Sequence, residues 1–381
     1  MKRLTLKTLV AAAALALLGA APAMADVNIG ISLSLTGPGS GLGIPMQNQF
    51  KLWPQTIGGE KVNVVILDDA SDPGKGVTNA RRFITEDKVD LIIGSCLTPV
   101  AAAMAPVAAE AKTVQLAASP VGGPNIPEAY LFRLPQGNDV MAYAVVEHMK
   151  KQGIKTVGFL GYVDAYGELW LKALTPLAEK AGIKIVATER FQRTDTSVTP
   201  QALKLTSANP DAMLIVASGS GAAMPHKAIV ERGFKGKIYQ THAAATMDLM
   251  RIGGKDVEGS FVVSGPAMVG AQLPDSHPSK KAAMDFLAGY EKAYGVGSAN
   301  QFAGHAYDAK IVLEKIIPMA LKKGKPGTPE FRAALKESLE TMGRTVFSHG
   351  VMNWTAQDHW GYTTETGVML KVVDGKFVVE K

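Results

Sequence analysis

Short apolar, β-branched runs alternate with helical periodicities along most of this chain. VNIGISLSL (27–35), VNVVIL (62–67), DLIIG (90–94) and TVQLA (113–117) read as strands, each followed by Gly, Pro or Ser. Helices are expected between them. Val77, Ala80, Phe83 and Ile84 share one helical face, and residues 99–111 are alanine-rich throughout. Val140, Met141, Ala144, Val145 and Met149 form a stripe behind Asn138, a capping residue type. The alternation restarts at KTVGFLG (155–161). A helix over 166–181, the strand 183–191, a helix opened by Thr199-Pro200 and the strand 211–218 follow. A helix over 222–233, the strand 237–241, a further helix and the strand 259–265 complete the second run. Strands alternating with helices build parallel sheets covered on both faces. Two such runs predict an α/β protein of two doubly wound lobes.

The remainder departs from a tandem repeat. Residues 279–294, 302–322 and 328–340 read as helices without accompanying strands, and GVMLKVVDGKFVVEK closes the chain as a hairpin turning at Asp374-Gly375. If the late helices return to the first lobe and the tail completes the second, the chain crosses between lobes near 137, 264 and 345. Lobe 1 is then 26–137 plus 265–345, and lobe 2 is 138–264 plus 346–381. Three crossings make a hinge with a cleft beside it.

The N-terminus sets the compartment. Lys2, Arg3 and Lys7 precede an apolar run of 13 residues (8–20) and the small-residue pattern Ala23-Met24-Ala25. That order reads as a cleaved secretory signal over 1–25, too short to span a bilayer. No cysteine stands at the cleavage point to carry a lipid anchor, and no later apolar stretch reaches 18 residues. A soluble periplasmic protein is expected. Those three cations are part of the 40 Lys and Arg, so 37 remain against 34 acids, a balance of +3. With no basic stripe carrying aromatics, nucleic acid is not an expected partner. Cys96 is the only cysteine, which excludes an internal disulfide and reads as a buried thiol.

In open α/β sheets ligands sit beyond the carboxyl ends of strands. Thr36-Gly37-Pro38-Gly39-Ser40-Gly41-Leu42-Gly43 follows the first strand without dinucleotide spacing and reads as a loop that a ligand approaches. Gly94-Ser95-Cys96-Leu97-Thr98-Pro99 follows the third. Thr98 reads as an N-cap with Pro99 as first helical residue, a geometry that also aims free N–H groups at a carboxylate. The loop Ser119-Pro120-Val121-Gly122-Gly123 borders the same space. From the second lobe, Asp164 is expected to cap a helix carrying Tyr166, and Ser218-Gly219-Ser220-Gly221 and Thr241-His242 end two more strands. There is no G-x-S-x-G elbow, no H-E-x-x-H and no Cys or His pair at metal spacing. Neither an enzyme, a metal nor a cofactor is expected.

These segments together resemble the periplasmic solute-binding proteins of ABC importers, in the leucine/isoleucine/valine-binding family. The resemblance runs through TGPGSG, LDDASDP (67–73), IIGSCLTP (92–99), LAASP (116–120), DAYGE (164–168) and VEGSFV (257–262). It implies a monomer of two α/β lobes that closes on one small molecule and delivers it to an inner-membrane permease. By position it places carboxylate contacts at Thr98, Ser119 and the 121–123 backbone, and an aromatic cover at Tyr166. The candidate ligand set is Ser40, Ile44, Cys96, Leu97, Thr98, Ser119, Val121, Gly122, Gly123, Asn138, Tyr166, Gly219, Ser220 and His242.

Three positions depart from the family pattern. Gly123 stands where a hydroxyl residue is expected, Ser71 where some relatives have a cysteine, and His242 where an acidic residue receives the amino group. Burying an ammonium without a carboxylate costs several kcal/mol, although Glu168 or Asp139 could compensate. The expected ligand is therefore an aromatic or other organic acid. A branched-chain amino acid is the alternative, and a sensor for a membrane receptor would share the same sequence features.

Overall fold

The computed structural model describes residues 26–380, so the expected signal segment, 1–25, lies outside the described residues. The first run comprises β1 (Val27–Leu33), α1 (Ser40–Phe50), β2 (Thr56–Ile57), β3 (Glu60–Asp68), α2 (Pro73–Thr85), β4 (Leu91–Gly94), α3 (Thr98–Glu110), β5 (Val114–Ala117) and β6 (Leu131–Arg133). The second comprises α4 (Asn138–Lys151), β7 (Thr156–Tyr162), α5 (Ala165–Lys180), β8 (Lys184–Phe191), α6 (Thr199–Ser207), β9 (Ala212–Val216), α7 (Ser220–Val230), β10 (Lys237–Gln240), α8 (Met247–Gly253) and β11 (Phe261–Ser264). Then come α9 (Lys280–Tyr294), α10 (Gln301–Ala320), α11 (Pro329–Thr341) and two hairpins, β12 (Thr345–Phe347) with β13 (Gly350–Met352) and β14 (Val368–Val373) with β15 (Lys376–Val379).

Two sheets result, ordered β2-β3-β1-β4-β5-β6 and β15-β14-β11-β10-β9-β7-β8. Their central strands are parallel, while β2, β14 and β15 add antiparallel edges. Ile29, Ile31, Leu91 to Ile93 and Met213 to Ile215 are fully buried, as strands covered by helices on both faces require. The fold is that of a type I periplasmic binding protein, with α10 packed against α1 and β2 of the first sheet and the C-terminal hairpin extending the second. Among the described residues no helix is long and apolar enough to cross a membrane.

The sequence reading misses α1, β2, β6 and the β12–β13 hairpin. In α1 two glycines and Pro45 argue against a helix. Tertiary contact overrides that propensity: a Cβ at Gly43 would lie 2.2 Å from Ser34 O, so only glycine lets α1 sit on the end of β1. Gly167 does the same for α5, where a Cβ would meet Tyr162 O at 1.8 Å. Two expected caps are displaced by one residue. Leu97 and Gly137 adopt the extended cap conformation, so Thr98 and Asn138 are already helical. Asp164 does cap α5, accepting from Tyr166 N at 2.9 Å. Thr328 likewise caps α11.

The segments that pass between the two sheets meet at one place. Gln136 Nε2 donates to His349 O at 2.7 Å. A Cβ on Gly265 would lie 2.6 Å from Gln136 Nε2 and 2.9 Å from His349 Cδ2. Asp308 of α10 anchors the third segment, accepting from Ser348 N at 2.7 Å and lying 2.7 Å from His349 Nδ1.

Candidate ligand-binding site

A narrow cleft lies where the carboxyl ends of the two sheets face each other. Cys96, Leu97 and Thr98 follow β4, Ser119 and Pro120 follow β5, and Pro135 follows β6. Tyr166, Arg193, Ser218 and His242 follow β7, β8, β9 and β10. Leu42 of α1 and Gln301, Phe302 and His305 of α10 complete the wall. Such convergence of strand ends is where open α/β sheets bind ligands.

The first-lobe side is held from below by Asp69. Fully buried, it accepts from the hydroxyls of Ser34 at 2.6 Å, Ser95 at 2.7 Å and Ser32 at 3.2 Å, and from Ser71 N at 3.0 Å. This network ties the ends of β1, β3 and β4 into one floor. Ser119 Oγ donates to Ser95 O and Thr98 Oγ1 to Pro120 O, at 3.1 and 3.3 Å. Those hydroxyl protons are engaged by backbone. The cap residue of α3 is Leu97, which offers no side-chain acceptor, so the first-turn N–H groups stay available beside the cavity. Cys96 is buried, and desolvation together with the nearby Asp69 charge pushes its thiol up to about 12.

The second-lobe side carries the one charged group of the lining. Arg193 Nε bonds Asp164 at 2.5 Å and its NH1 bonds Ser218 Oγ at 3.0 Å. The guanidinium lies 4.0 Å from the centre of the Tyr162 ring. Tyr166 is buried and donates to Thr241 Oγ1 at 2.8 Å, which fixes its ring, and burial raises its pKa. No Asp or Glu is among the described residues lining the cavity. Glu168 pairs outward with Arg190, and Asp139 borders a different cavity.

Of the sequence candidates, Cys96, Leu97, Thr98, Ser119, Tyr166 and His242 line this cavity. The others lie elsewhere. Ile44 is 44% exposed on the outer face of α1, and Val121 packs into a small core cluster with Ala101 and Leu131. Ser40 begins α1 and Ser220 is exposed at the start of α7. A Cβ on Gly219 would stand 3.0 Å from Leu42 Cδ1, so this glycine belongs to the rim where the lobes meet. Gly122, Gly123 and Asn138 border the separate cavity, beside Trp360 and Leu169. Helical phase and loop direction account for these placements: Ser40 and Ile44 stand two positions either side of Leu42 on α1, about 200° round the helix from the face that lines the cavity. Lining residues absent from the candidate set are Leu42, Ala118, Pro120, Ser218 and Ala243, which stand in or beside the strand-end loops already named, and Pro135, Arg193, Gln301, Phe302 and His305, which the sequence reading did not single out. Arg193 sits two positions past a strand end, within reach of the strand-end rule.

Burial makes two histidines acid-sensitive. Desolvation lowers His242 to about 3 and His226 to about 4. In the unfolded chain both titrate near 6.5. As pH falls, the unfolded state takes up protons first, so the stability of neutral burial is complete above about pH 6.5 and is lost toward pH 4 and 3. The urea midpoint is expected to fall between pH 7 and pH 5. A midpoint that rises over that interval contradicts neutral burial.

A family model described as periplasmic binding protein matches residues 26–375. The chain belongs to that family. An extracellular ligand-binding receptor from Rhodopseudomonas palustris is 45% identical, with a TM-score of 0.92 over 94% of this chain and 100% of that one. The Leu/Ile/Val-binding protein homolog 3 of Brucella melitensis is 25% identical over 74% of this chain and 73% of its own. A solute-binding protein of an ABC transporter from R. palustris BisB5, solved with 3,4-dihydroxybenzoic acid, shares the fold. Its TM-score is 0.76 at 22% identity, over 92% of this chain and 95% of that one.

Proposed function

We propose that this protein is the periplasmic ligand-capturing component of an ABC importer, and that its ligand is a small organic acid, aromatic in the simplest case. The observation that carries the reading is the charge of the cavity wall: one arginine and no acidic side chain among the described lining residues. Arg193 keeps N–H groups beyond those given to Asp164 and Ser218, and the open first turn of α3 adds donors from the facing lobe. A carboxylate bridging the two has a reason to hold the lobes together. Leu42, Leu97, Phe302 and the two prolines and two alanines around them suit an apolar, planar body.

In this account residues 26–137 with 265–345 move as one lobe and 138–264 with 346–381 as the other. The hinge is the meeting point of Gln136, Gly265 and His349. Binding shifts the open–closed equilibrium by its preference for the closed form. The protein performs no catalysis, acts as a monomer in the periplasm after loss of 1–25, and presents its closed form to an inner-membrane permease. The branched-chain amino-acid reading is supported by the name of the Brucella relative. It requires an ammonium partner; of the carboxylates beside the lining, Asp164 is already bound to Arg193 and Asp69 to the hydroxyls of Ser32, Ser34 and Ser95.

Thermal unfolding of the mature protein, stripped by unfolding and refolding, tests the reading against aromatic carboxylates, aliphatic diacids and amino acids. A ligand at a hundred times its Kd adds about 2.7 kcal/mol and raises the Tm by several degrees. Stabilisation by monocarboxylates alone is expected. Stabilisation by leucine or valine and not by acids overturns it.

A further inference from the structure

The α10 side of the cavity is polar without being charged, and its polar atoms lack protein partners. His305 is 1% exposed and neither ring nitrogen has a hydrogen-bond partner. Gln301 is fully buried; its Oε1 accepts from Ser264 Oγ at 3.0 Å, while its Nε2 has none. The Nδ1 of His242, on the facing lobe, is also unpaired. Buried polar groups in native proteins nearly always find partners. Three such residues around one cavity, two of them on α10, mark a place where a ligand supplies them.

The ring of His305 is fixed from behind. His349 stacks on it with centroids 4.0 Å apart, and Asp308 holds His349. Burial, with His349 and His242 nearby, keeps His305 neutral, so it carries one N–H and one bare nitrogen. We infer that Gln301 and His305 form a second anchor in the cleft, reading a neutral hydroxyl on the organic acid whose carboxylate is held at Arg193. This inference rests on the carboxylate reading above and narrows it to hydroxylated acids.

A hydroxyl fits because it donates once and accepts twice: it can donate to the bare nitrogen of His305 and accept from Gln301 Nε2. A second carboxylate or an ammonium would find no opposite charge at this end, since no charged side chain of the lining comes from α10. A purely apolar ring would leave all the donors unmade, and sites built to bond a substrate hydroxyl discriminate strongly against analogues lacking it. Phe302, on the same turn, supplies a flat apolar wall between the anchors.

The test is titration calorimetry on the stripped mature protein. The probes are benzoate, phenylacetate and 3-phenylpropanoate, each compared with its 4-hydroxy derivative and the O-methyl ether of that derivative. The hydroxyl is expected to tighten binding on the order of ten- to a hundredfold for at least one parent, and methylation to remove the gain. In His305→Phe, which keeps the ring stacked on His349, the ratio of hydroxylated acid to parent is expected to fall to near one. Equal affinity of parent, hydroxy acid and ether for wild type overturns the inference while leaving the carboxylate reading in place. So does a hydroxyl gain that survives in folded His305→Phe. If that variant does not fold, the wild-type ratios decide. Binding of amino acids with no response to any of the nine acids overturns both.

Discussion

Arg193→Gln is expected to weaken acid binding on the order of a hundredfold or more. Removing one member of a desolvated charge pair typically has this effect, because the remaining charge is left without its partner. The geometry makes the case stronger here. Arg193 stands between Asp164 and the cavity, with Nε on the carboxylate and NH1 on Ser218. Without the guanidinium, Asp164 is left as an unpaired negative charge behind the wall, and an anion meets repulsion where it met attraction. Arg193→Lys restores the charge but not the planar fork that reaches Asp164, Ser218 and a ligand at once, so partial recovery is expected. Calorimetry gives the affinity, and unfolding of the ligand-free variants shows that the loss is in binding. Acid affinity unchanged in Arg193→Gln would remove the arginine from the site.

Asp308→Ala is expected to destabilise the ligand-free protein by about 3–5 kcal/mol, the usual consequence of breaking one side of a buried polar pair. Asp308 is fully buried and faces three groups of the turn at 348–349: Ser348 N, His349 N and His349 Nδ1. All three lose their partner in the alanine variant. Because His349 also accepts from Gln136 and supports His305, the same change loosens hinge and cavity together. Urea unfolding measures the first effect. A variant with wild-type stability would mean that water replaces the carboxylate and that the turn does not depend on it.

Much of this molecule is legible in its sequence, and the failures have physical causes. Strand ends at 94–98, 118–120, 164–166 and 241–242 were recognisable from apolar runs followed by small residues, and the cavity lies among them. Cap positions were wrong by one residue at Leu97 and Gly137, since a hydroxyl or amide in the first turn reads as a cap whether or not it bonds the backbone. Residues 36–43 read as a glycine-rich loop, and only the close approach of Gly43 to Ser34 explains why the second half of that run opens a helix. The contribution of α10 was hidden for another reason. Gln301, Phe302 and His305 open a long apolar helix some 60 residues after the last candidate; the sequence reading returns that helix to the first lobe, but nothing local says that its first turn borders the cleft. A polar Gln and His on one turn of an otherwise apolar start was the available signal.

The central claim is that the cleft holds a carboxylate and has no place for an α-ammonium. Matched pairs differing only in that group test it most directly: 3-phenylpropanoate against phenylalanine, and 4-methylpentanoate against leucine, titrated calorimetrically into the stripped mature protein. The account predicts that the amino-free acid of at least one pair binds at least a hundredfold tighter than its amino acid. Tighter binding of phenylalanine or leucine would contradict it and would require an ammonium partner, for which Asp164 would have to leave Arg193.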